Sequence, residues 1–361
     1  MTDIFSSGFL YLYWTILLCG KGIGYSSQDD IFRSATWFAM IFVFLKLLST
    51  KWRSQKEIEY CILLNIIGLI VWLCSDDAAI LLTTITVTSL KDVNIRNLFV
   101  YSFWMKTIFF VIITTMALQG IIDIQPMDRY ELGVSVVTRY GLGYGQPNVP
   151  QYTLFVITAL GIMSYYHKMK WWHYLIMLSY NYFIYTYTNS RTGFVLSECL
   201  LICTYLVCKY PRIHETLKRL WLVKYCYIIG FILSLVISGL FASIDFLRSL
   251  GTLSSRFGSG ADVILSNSIN LFGTEDIVTD FGYINIMYSY GIISLICFLL
   301  AWTSLIKKIV LNNYVIEALV LVFYSIYTLS EAYTASILMN VSLMLFVLLI
   351  YPHTKSGYTI V

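Results

Sequence analysis

Long apolar runs follow one another through this chain, and they constrain its fold more than any other feature of the sequence. A helix that crosses a bilayer needs roughly 20 mostly apolar residues, because the hydrocarbon is about 30 Å thick. The chain is 58% hydrophobic and only 12% charged over 361 residues, which leaves too little polar surface for a water-soluble globule. The sequence therefore predicts an all-α polytopic membrane protein, with residues 1–361 forming a single membrane domain.

Twelve apolar runs, bounded by charged or turn residues, are the candidate transmembrane helices. They fall at about 4–24, 31–50, 58–75, 78–90, 97–122, 149–166, 171–188, 192–208, 221–243, 281–304, 314–330 and 333–351. The run at 78–90 is short for a crossing. The first run lacks a basic leader and a small-residue cleavage site, so we expect a retained helix and not a signal peptide. All eight cysteines lie within or at the ends of runs, so no disulfide framework is predicted.

The distribution of lysine and arginine predicts the orientation, because these residues hold connecting loops in the cytoplasm. Placing 51–57, 91–96, 167–170, 209–220, 307–313 and the C-terminus inside leaves seven of the 24 basic residues on the outer face. These seven are Lys21, Arg33, Arg129, Arg139, Arg191, Arg248 and Arg256. Both termini are then cytoplasmic, and two long loops, 123–148 and 244–280, are extracytoplasmic. We expect function in these loops, and the charge distribution argues against nucleic acid as a partner.

The turn from Asn189 to Gly193 ends one run and opens the next on the predicted outer face. The guanidinium of Arg191 can hold a phosphate through two hydrogen bonds, and the free amides of the following helix N-terminus add positive potential. Arginines at this depth also commonly extend to lipid headgroups, and position alone does not separate the two uses. Glu198, two helical turns further on, either takes part in catalysis or forms a structural hydrogen bond to another helix.

The two long outer loops contribute further candidate residues. The segment from Arg139 to Asn148 has alternating glycines, which either let backbone amides approach an anion or make an ordinary turn. Arg139, Tyr144 and Asn148 are its predicted substrate-binding residues. In the second loop, Arg248 is predicted to bind substrate and Arg256 to take part in catalysis, although the stretch around Arg256 also suits an interfacial amphipathic segment.

Acidic side chains on the predicted outer face are the candidates for a general base. Asp280 leads into the run at 281–304, and Glu331 caps the last outer turn. Together with Glu198 they are the predicted catalytic acids, although most acids in outer loops are simply solvated. Tyr283, just after Asp280, is predicted to bind substrate. Two pairs of adjacent aspartates lack further ligands nearby in sequence, so we assign no metal and no cofactor.

Four segments, in this order, resemble the Wzy-type polymerases of bacterial surface polysaccharides, relatives of the O-antigen ligases. Arg139–Asn148 is similar to that family's R-x-x-L-G-F-x-H-P-N stretch, and Asn189–Gly193 to its S-R-T-G turn. Leu253–Arg256 is similar to its L-S-G-R segment, and Thr279–Gly291 to its D-N-x-Y segment and the following helix that ends in Y-G. Three positions depart from the family pattern, with Gln146 in place of His, Ser255 in place of Gly and Phe281 in place of Asn.

The resemblance implies a glycosyltransferase of the bacterial cytoplasmic membrane. Such an enzyme moves a sugar chain from one undecaprenyl diphosphate onto the sugar of another lipid-linked repeat unit, at the outer face of the membrane. Outer arginines would hold the diphosphate of the donor, where negative charge accumulates during the reaction. The implied partners are undecaprenyl-diphosphate-linked oligosaccharide and membrane lipid, with a chain-length regulator and a flippase. The product, O-antigen, capsule or exopolysaccharide, stays open.

Other functions compete with the polymerase. A ligase-like transferase of the same superfamily typically uses an outer histidine, and the four histidines here all fall on the predicted inner side. A lipid-linked oligosaccharide flippase or a secondary transporter suits twelve spans, but it would concentrate charge in midplane cavities and broken helices. Few charges are predicted to lie inside the membrane, away from the outer ends of the runs and the cytoplasmic connectors, namely Lys46, Lys106, Glu198 and Glu317. A purely structural membrane component is the remaining alternative.

Overall fold

The chain is mostly helical in a computed structural model, which describes residues 2–23, 29–131, 134–244, 252–275, 277 and 279–351. The helices are α1 (Thr2–Gly22), α2 (Asp30–Ser49), α3 (Gln55–Ser75), α4 (Ala79–Ser89), α5 (Ile95–Leu118), α6 (Asn148–Tyr165), α7 (Trp171–Thr188), α8 (Arg191–Lys209), α9 (Pro211–Arg219), α10 (Trp221–Lys224), α11 (Cys226–Ser243), α12 (Thr252–Ser266), α13 (Gly282–Ser289), α14 (Gly291–Leu311), α15 (Val315–Tyr327) and α16 (Val347–Ile350). Short 3₁₀ helices lie at Tyr166–Lys168, Ala332–Ala335 and Val341–Phe346, and the strands are β1 (Pro126–Glu131) and β2 (Val134–Tyr140).

Six helices of the described part are long and apolar enough to cross a membrane, so the chain is a multi-pass membrane protein. They are α2, α3, α5, α8, α11 and α14. At 1.5 Å per residue, a helix of 18 residues is about 27 Å long, close to the thickness of the hydrocarbon. Helices α6 and α7 are also 18 residues long and match predicted runs, but polar residues such as Asn, Gln, Thr and Tyr make them less apolar.

The last predicted run, 333–351, is not a regular α-helix. It forms two 3₁₀ helices followed by the four-residue helix α16. Irregular backbone at membrane depth is tolerated where protein covers it, and these residues are mostly buried. The Asn340 carboxamide donates to the Thr334 carbonyl over 3.0 Å, and the Ser342 hydroxyl donates to Asn340 over 2.5 Å. These side-chain hydrogen bonds replace part of the backbone hydrogen bonding of an α-helix. The prediction of one continuous helix over 333–351 is wrong.

Three further runs are shorter or interrupted relative to the prediction. Helix α4, over the run at 78–90, has 11 residues, and α15, over the run at 314–330, has 13. The run at 281–304 is divided into α13 and α14 by Gly291, whose φ of 85° lies in the left-handed region that favours glycine. The structure therefore supports six long membrane-crossing helices, and the total of twelve crossings stays a prediction.

The two predicted outer loops contain secondary structure of their own. Strands β1 and β2 form an antiparallel hairpin within 123–148, with Pro126 opposite Tyr140. The β-branched residues of β2 explain this local exception to an all-helical fold, because they fit a pleated strand better than a helix. The second loop, 244–280, contains α12, which packs on α11 through the rings of Phe257 and Phe241 with centroids 5.5 Å apart.

Side-chain contacts join the helix ends into two groups, at opposite ends of the bundle. At the end that carries the hairpin, called here the hairpin end, Arg33 lies 3.7 Å from Asp76, and Tyr290 donates to Asp77 over 2.7 Å. At the other end, called the lysine end, Lys218 bonds to Asn313 and Lys308 donates to the Leu348 carbonyl over 2.8 Å. This grouping agrees with the alternation of inner and outer connections predicted from charge.

A caged lysine holds several chain segments together at the lysine end. The side chain of Lys91 is 0% exposed and forms an ion pair with Glu57. Its ammonium also donates to the Lys51 carbonyl over 2.7 Å, and it lies 4.9 Å from the ring of Trp52 and 5.6 Å from that of Tyr351. One cation thus connects the α2–α3 connector, the α4–α5 connector and the end of the last segment.

We predict that Lys91→Met lowers the free energy of unfolding by roughly 3 kcal/mol, because it leaves Glu57 without its buried cation. Unfolding in detergent micelles, followed by titration with a denaturing detergent, measures this change. Lys56→Met is the matched control, since Lys56 is exposed in the first turn of the same helix as Glu57. Equal stability of the two variants would show that the ion pair does not hold this end together.

Candidate functional site at the hairpin end

Arg139 is a buried anchor at the end of β2. The residue is only 7% exposed. It donates to the Thr188 carbonyl over 2.9 Å through Nε and to the Asn148 carboxamide over 2.7 Å through Nη2. The hairpin is thereby fixed to the end of α7 and the start of α6. These contacts give Arg139 and Asn148 a positioning role, and their predicted contact with substrate stays a prediction.

The turn between Arg139 and Asn148 is built from left-handed backbone. Leu142, Gly143 and Gly145 all have positive φ, of 48°, 84° and 80°. A side chain at Gly143 would come within 2.7 Å of Ile122, so glycine is required there for space as well as for conformation. Tyr144 points inward and stacks on Phe110 with ring centroids 5.8 Å apart. Burial raises the pKa of the Tyr144 phenol above its ordinary value.

The start of α8 lies against two other helices at Gly193. Arg191 is the first residue of α8 and is exposed, while Ser190 before it is buried. A Cβ at Gly193 would come 2.5 Å from the Tyr327 hydroxyl and 2.7 Å from Cγ of Gln151. Only glycine therefore lets α8 approach α6 and α15 this closely. Arg191 stands at the edge of this contact.

A buried chain of polar side chains runs beneath the Arg191 turn. Thr188 donates to Gln151 over 3.3 Å, Gln151 donates to Asn181, and Asn181 donates to the Glu198 carboxylate over 2.6 Å. Thr188, Gln151 and Asn181 are 0% exposed. The hydrogen bond from Asn181 to Glu198 joins α7 to α8. This is the contact that a structural role of Glu198 between two helices requires. A catalytic role for Glu198 stays a prediction.

Sequence reasoning missed Gln151 and Asn181, although their signal was present. Both are carboxamides inside apolar runs, and such groups need hydrogen-bond partners when they lie within a membrane. The residue types predicted that partners exist. They did not say that the partners are each other, because that depends on how α6 and α7 pack.

The segment from Tyr327 to Tyr333, called here the 327–333 turn, carries a wall of aromatic rings. Tyr152 of α6 packs against Tyr327 and Tyr333, with centroid distances of 4.6 and 5.0 Å. Glu331, in the middle of the turn, is 4% exposed, and its backbone amide donates to the Tyr327 carbonyl over 3.1 Å. The turn therefore presents a buried carboxylate beside phenol rings, close to the start of α8.

The segment that leads into α13 reaches the same turn from the other side. The Gly282 amide donates to the Thr328 carbonyl over 2.9 Å, and a Cβ at Gly282 would come 2.5 Å from the Glu331 carbonyl oxygen. Asp280, two residues earlier, is exposed. Tyr283 is 0% exposed, and its hydroxyl lies 2.7 Å from that of Ser325. Tyr283 thus packs into the core here, and its predicted role in substrate binding stays a prediction.

Helix α12 brings the remaining segment to this region. The hydroxyls of Ser259 and Thr279 lie 3.1 Å apart, and the ring of Phe257 packs on Phe281 with centroids 5.3 Å apart. Arg256 belongs to the same helix and directly precedes Phe257. Arg248 lies outside the described residues. Of the segments predicted from sequence, 189–193 and 279–291 thus meet the 327–333 turn directly. The segment 139–148 connects to it through α6, and α12 connects through Phe257 and Ser259, which follow 253–256.

Comparison with known proteins adds no relative to this picture. No protein-family model, no curated protein and no solved structure matches the chain. The function has to be inferred from the chain's own residues. The most informative of these are the exposed Arg191, the carboxyl groups of Asp280 and Glu331, and the tyrosines next to Glu331.

We predict that Gly193→Ala destabilises the protein by roughly 1–3 kcal/mol, because the added methyl group overlaps Tyr327 and Gln151. The melting temperature of the purified protein measures this. Gly239→Ala is the matched control, since a Cβ at Gly239 meets nothing within 4 Å. Adding Tyr327→Phe to Gly193→Ala should recover part of the loss by removing the nearest atom. Identical melting of the two single variants would contradict the close approach of α8 and α15.

Proposed function

We propose that this chain is a polysaccharide polymerase, which joins undecaprenyl-diphosphate-linked oligosaccharide repeat units at the outer face of the bacterial cytoplasmic membrane. The observation that carries the proposal is that four separate segments, or the residues next to them, connect to the 327–333 turn. These are the same segments whose order resembles the Wzy-type polymerases. These segments lie up to about 150 residues apart in sequence, and at the hairpin end they occur together with an exposed arginine and two carboxyl groups.

The orientation in this proposal follows from charge. The hairpin end faces the outside, both termini lie in the cytoplasm, and the chain crosses the membrane twelve times. Lipid-linked substrates then reach the site sideways from the outer leaflet, which requires no soluble domain. A flippase that delivers repeat units and a regulator of chain length are the proposed partners.

The reaction needs positive charge at one point and a proton acceptor at another. The acceptor sugar hydroxyl attacks the anomeric carbon of the donor, the bond from that carbon to the diphosphate oxygen breaks, and undecaprenyl diphosphate leaves. Arg191, at the start of α8 where the helix N-terminus adds positive potential, is suited to stabilise the departing diphosphate. Arg256 is the second proposed cation. Asp280 and Glu331 are the favoured proton acceptors, since the Gly282 backbone joins their two segments.

We predict that Arg191→Ala lowers polymer formation by about 100-fold, as expected for the loss of a donor that stabilises developing charge. In cells that lack the chromosomal copy, single repeat units should replace long chains on a gel of the surface polysaccharide. Arg191→Lys should retain intermediate activity, since lysine keeps the charge but not the paired hydrogen bonds. Arg256→Ala should behave like Arg191→Ala.

Arg129→Ala is the control for these variants, because Arg129 is an outer-loop arginine on the hairpin outside all four segments. Normal-length polymer from both Arg191→Ala and Arg256→Ala would overturn the proposal. Reconstituted wild-type protein separates polymerase from transporter. Vesicles that hold only lipid-linked repeat units should yield longer chains, whereas movement of labelled lipid without joining would favour transport.

A topology measurement tests the proposed orientation independently of activity. We predict that alkaline phosphatase is active when it is fused within the loop at 123–148, because this enzyme folds only after export. Green fluorescent protein should fluoresce when it is fused after Lys209 or at the C-terminus. The opposite pattern would place the hairpin end in the cytoplasm and exclude an outer active site there.

A further inference from the structure

A cavity at the lysine end lies outside the proposed active site. It has a volume of about 500 Å³ and is lined by Glu215, Lys218, Arg219, Lys224, Val310 and Leu311. Ligand-binding cavities in proteins commonly span roughly 300–1,000 Å³. The cavity lies between α9, α10 and the end of α14. Its size and position are compatible with a bound molecule at the membrane surface.

Positive charge dominates this cavity. Lys218 bonds to Asn313 and lies 4.0 Å from Glu215, so it is already partly neutralised. Within the described part of the chain, neither the Arg219 guanidinium nor the Lys224 ammonium has a hydrogen-bond or ion-pair partner. Two cations thus face one cavity with no counter-charge of their own. An anion is the complementary ligand.

The surroundings of the cavity are apolar on the side of the bilayer. Leu311 is 76% exposed, although it belongs to the lining, and Trp221 and Leu222 beside it are 61% and 48% exposed. Helices α9 and α10 connect the end of α8 to the start of α11, and both of these helices are long enough to span the membrane. The cavity therefore sits at the interface, where cations and apolar side chains meet both parts of a lipid.

We propose that this cavity binds an anionic glycerophospholipid of the adjoining leaflet. Its phosphate contacts Arg219 and Lys224, and its acyl chains lie along Leu311 and Trp221. Basic residues next to a spanning helix attract anionic headgroups in this way. A free phosphate ion would use the two cations but gain nothing from the exposed leucine and tryptophan. The site is independent of the proposed polymerase activity.

Native mass spectrometry of the full-length protein in detergent tests the proposal, with phosphatidylglycerol and phosphatidylcholine as the probes. The wild type should bind phosphatidylglycerol more tightly than phosphatidylcholine. The double variant Arg219→Gln, Lys224→Gln should bind it about 25-fold more weakly, since each basic residue near an anionic headgroup contributes a factor of about five. Lys168→Gln, Lys170→Gln is the matched control, with the same loss of charge at exposed positions of the same end, and it should bind like the wild type.

Three outcomes would overturn the proposal. An equal loss in the control variant would show that overall surface charge attracts the lipid, with no defined site. Displacement of phosphatidylglycerol by inorganic phosphate, together with full binding by Leu311→Asn, would assign the cavity to a phosphate ion. If the double variant does not fold, the salt dependence of lipid binding by the wild type still tests the proposal. Its affinity for phosphatidylglycerol should fall steeply between about 50 and about 500 mM salt, because salt screens the attraction between the two cations and the headgroup. An affinity that ignores salt would exclude contact with the two cations.

Discussion

Backbone that passes through hydrocarbon has to satisfy its own hydrogen bonds, and the rest of this structure depends on that requirement. It produces the long helices, and it also determines where the chain can depart from them. The residues after Tyr327 can adopt 3₁₀ geometry because neighbouring helices cover them and because Asn340 bonds to Thr334. The candidate site at the hairpin end lies at such a departure. A continuous helix through residues 327–335 would remove the turn that carries Glu331 and the aromatic wall.

Polar links between helices determine how the bundle is arranged. Lipid tails are about as apolar as leucine side chains, so apolar contact alone does little to select one helix packing over another. The bond from Gln151 to Asn181 fixes α6 against α7, and the bond from Asn181 to Glu198 fixes α7 against α8. At the other end, Lys91 does the same for two connectors and the last segment. A few buried polar groups thus set the positions from which Arg191 and the 327–333 turn face each other.

The sequence predicted the elements of the fold better than their contacts. The predicted run at 171–188 has the same bounds as the helix Trp171–Thr188. The length of the apolar run and the length of a membrane-crossing helix agree because the thickness of the hydrocarbon sets both. The prediction of one continuous helix over the last run, 333–351, was wrong because an apolar composition shows only that a segment lies in apolar surroundings. It does not show whether lipid or protein provides those surroundings. Arg139 was predicted to bind substrate, which stays a prediction, and sequence could not show that Thr188 and Asn148 accept hydrogen bonds from its guanidinium. Such contacts depend on residues far away in the chain. The convergence of four segments came from their order in a resemblance, and physical reasoning about each alone would not have predicted it.

The caged lysine has a consequence for how the protein is made. Tyr351, one of the two rings that face Lys91, comes at the end of the last segment, and the 3₁₀ stretch before it depends on neighbouring helices for cover. A segment of this kind is a poor substrate for insertion into the bilayer as an independent helix. It has to join a bundle that has already been assembled around it. The lysine end is then completed when Tyr351 reaches Lys91, and this contact forms only after the segment before it has found its cover among the other helices.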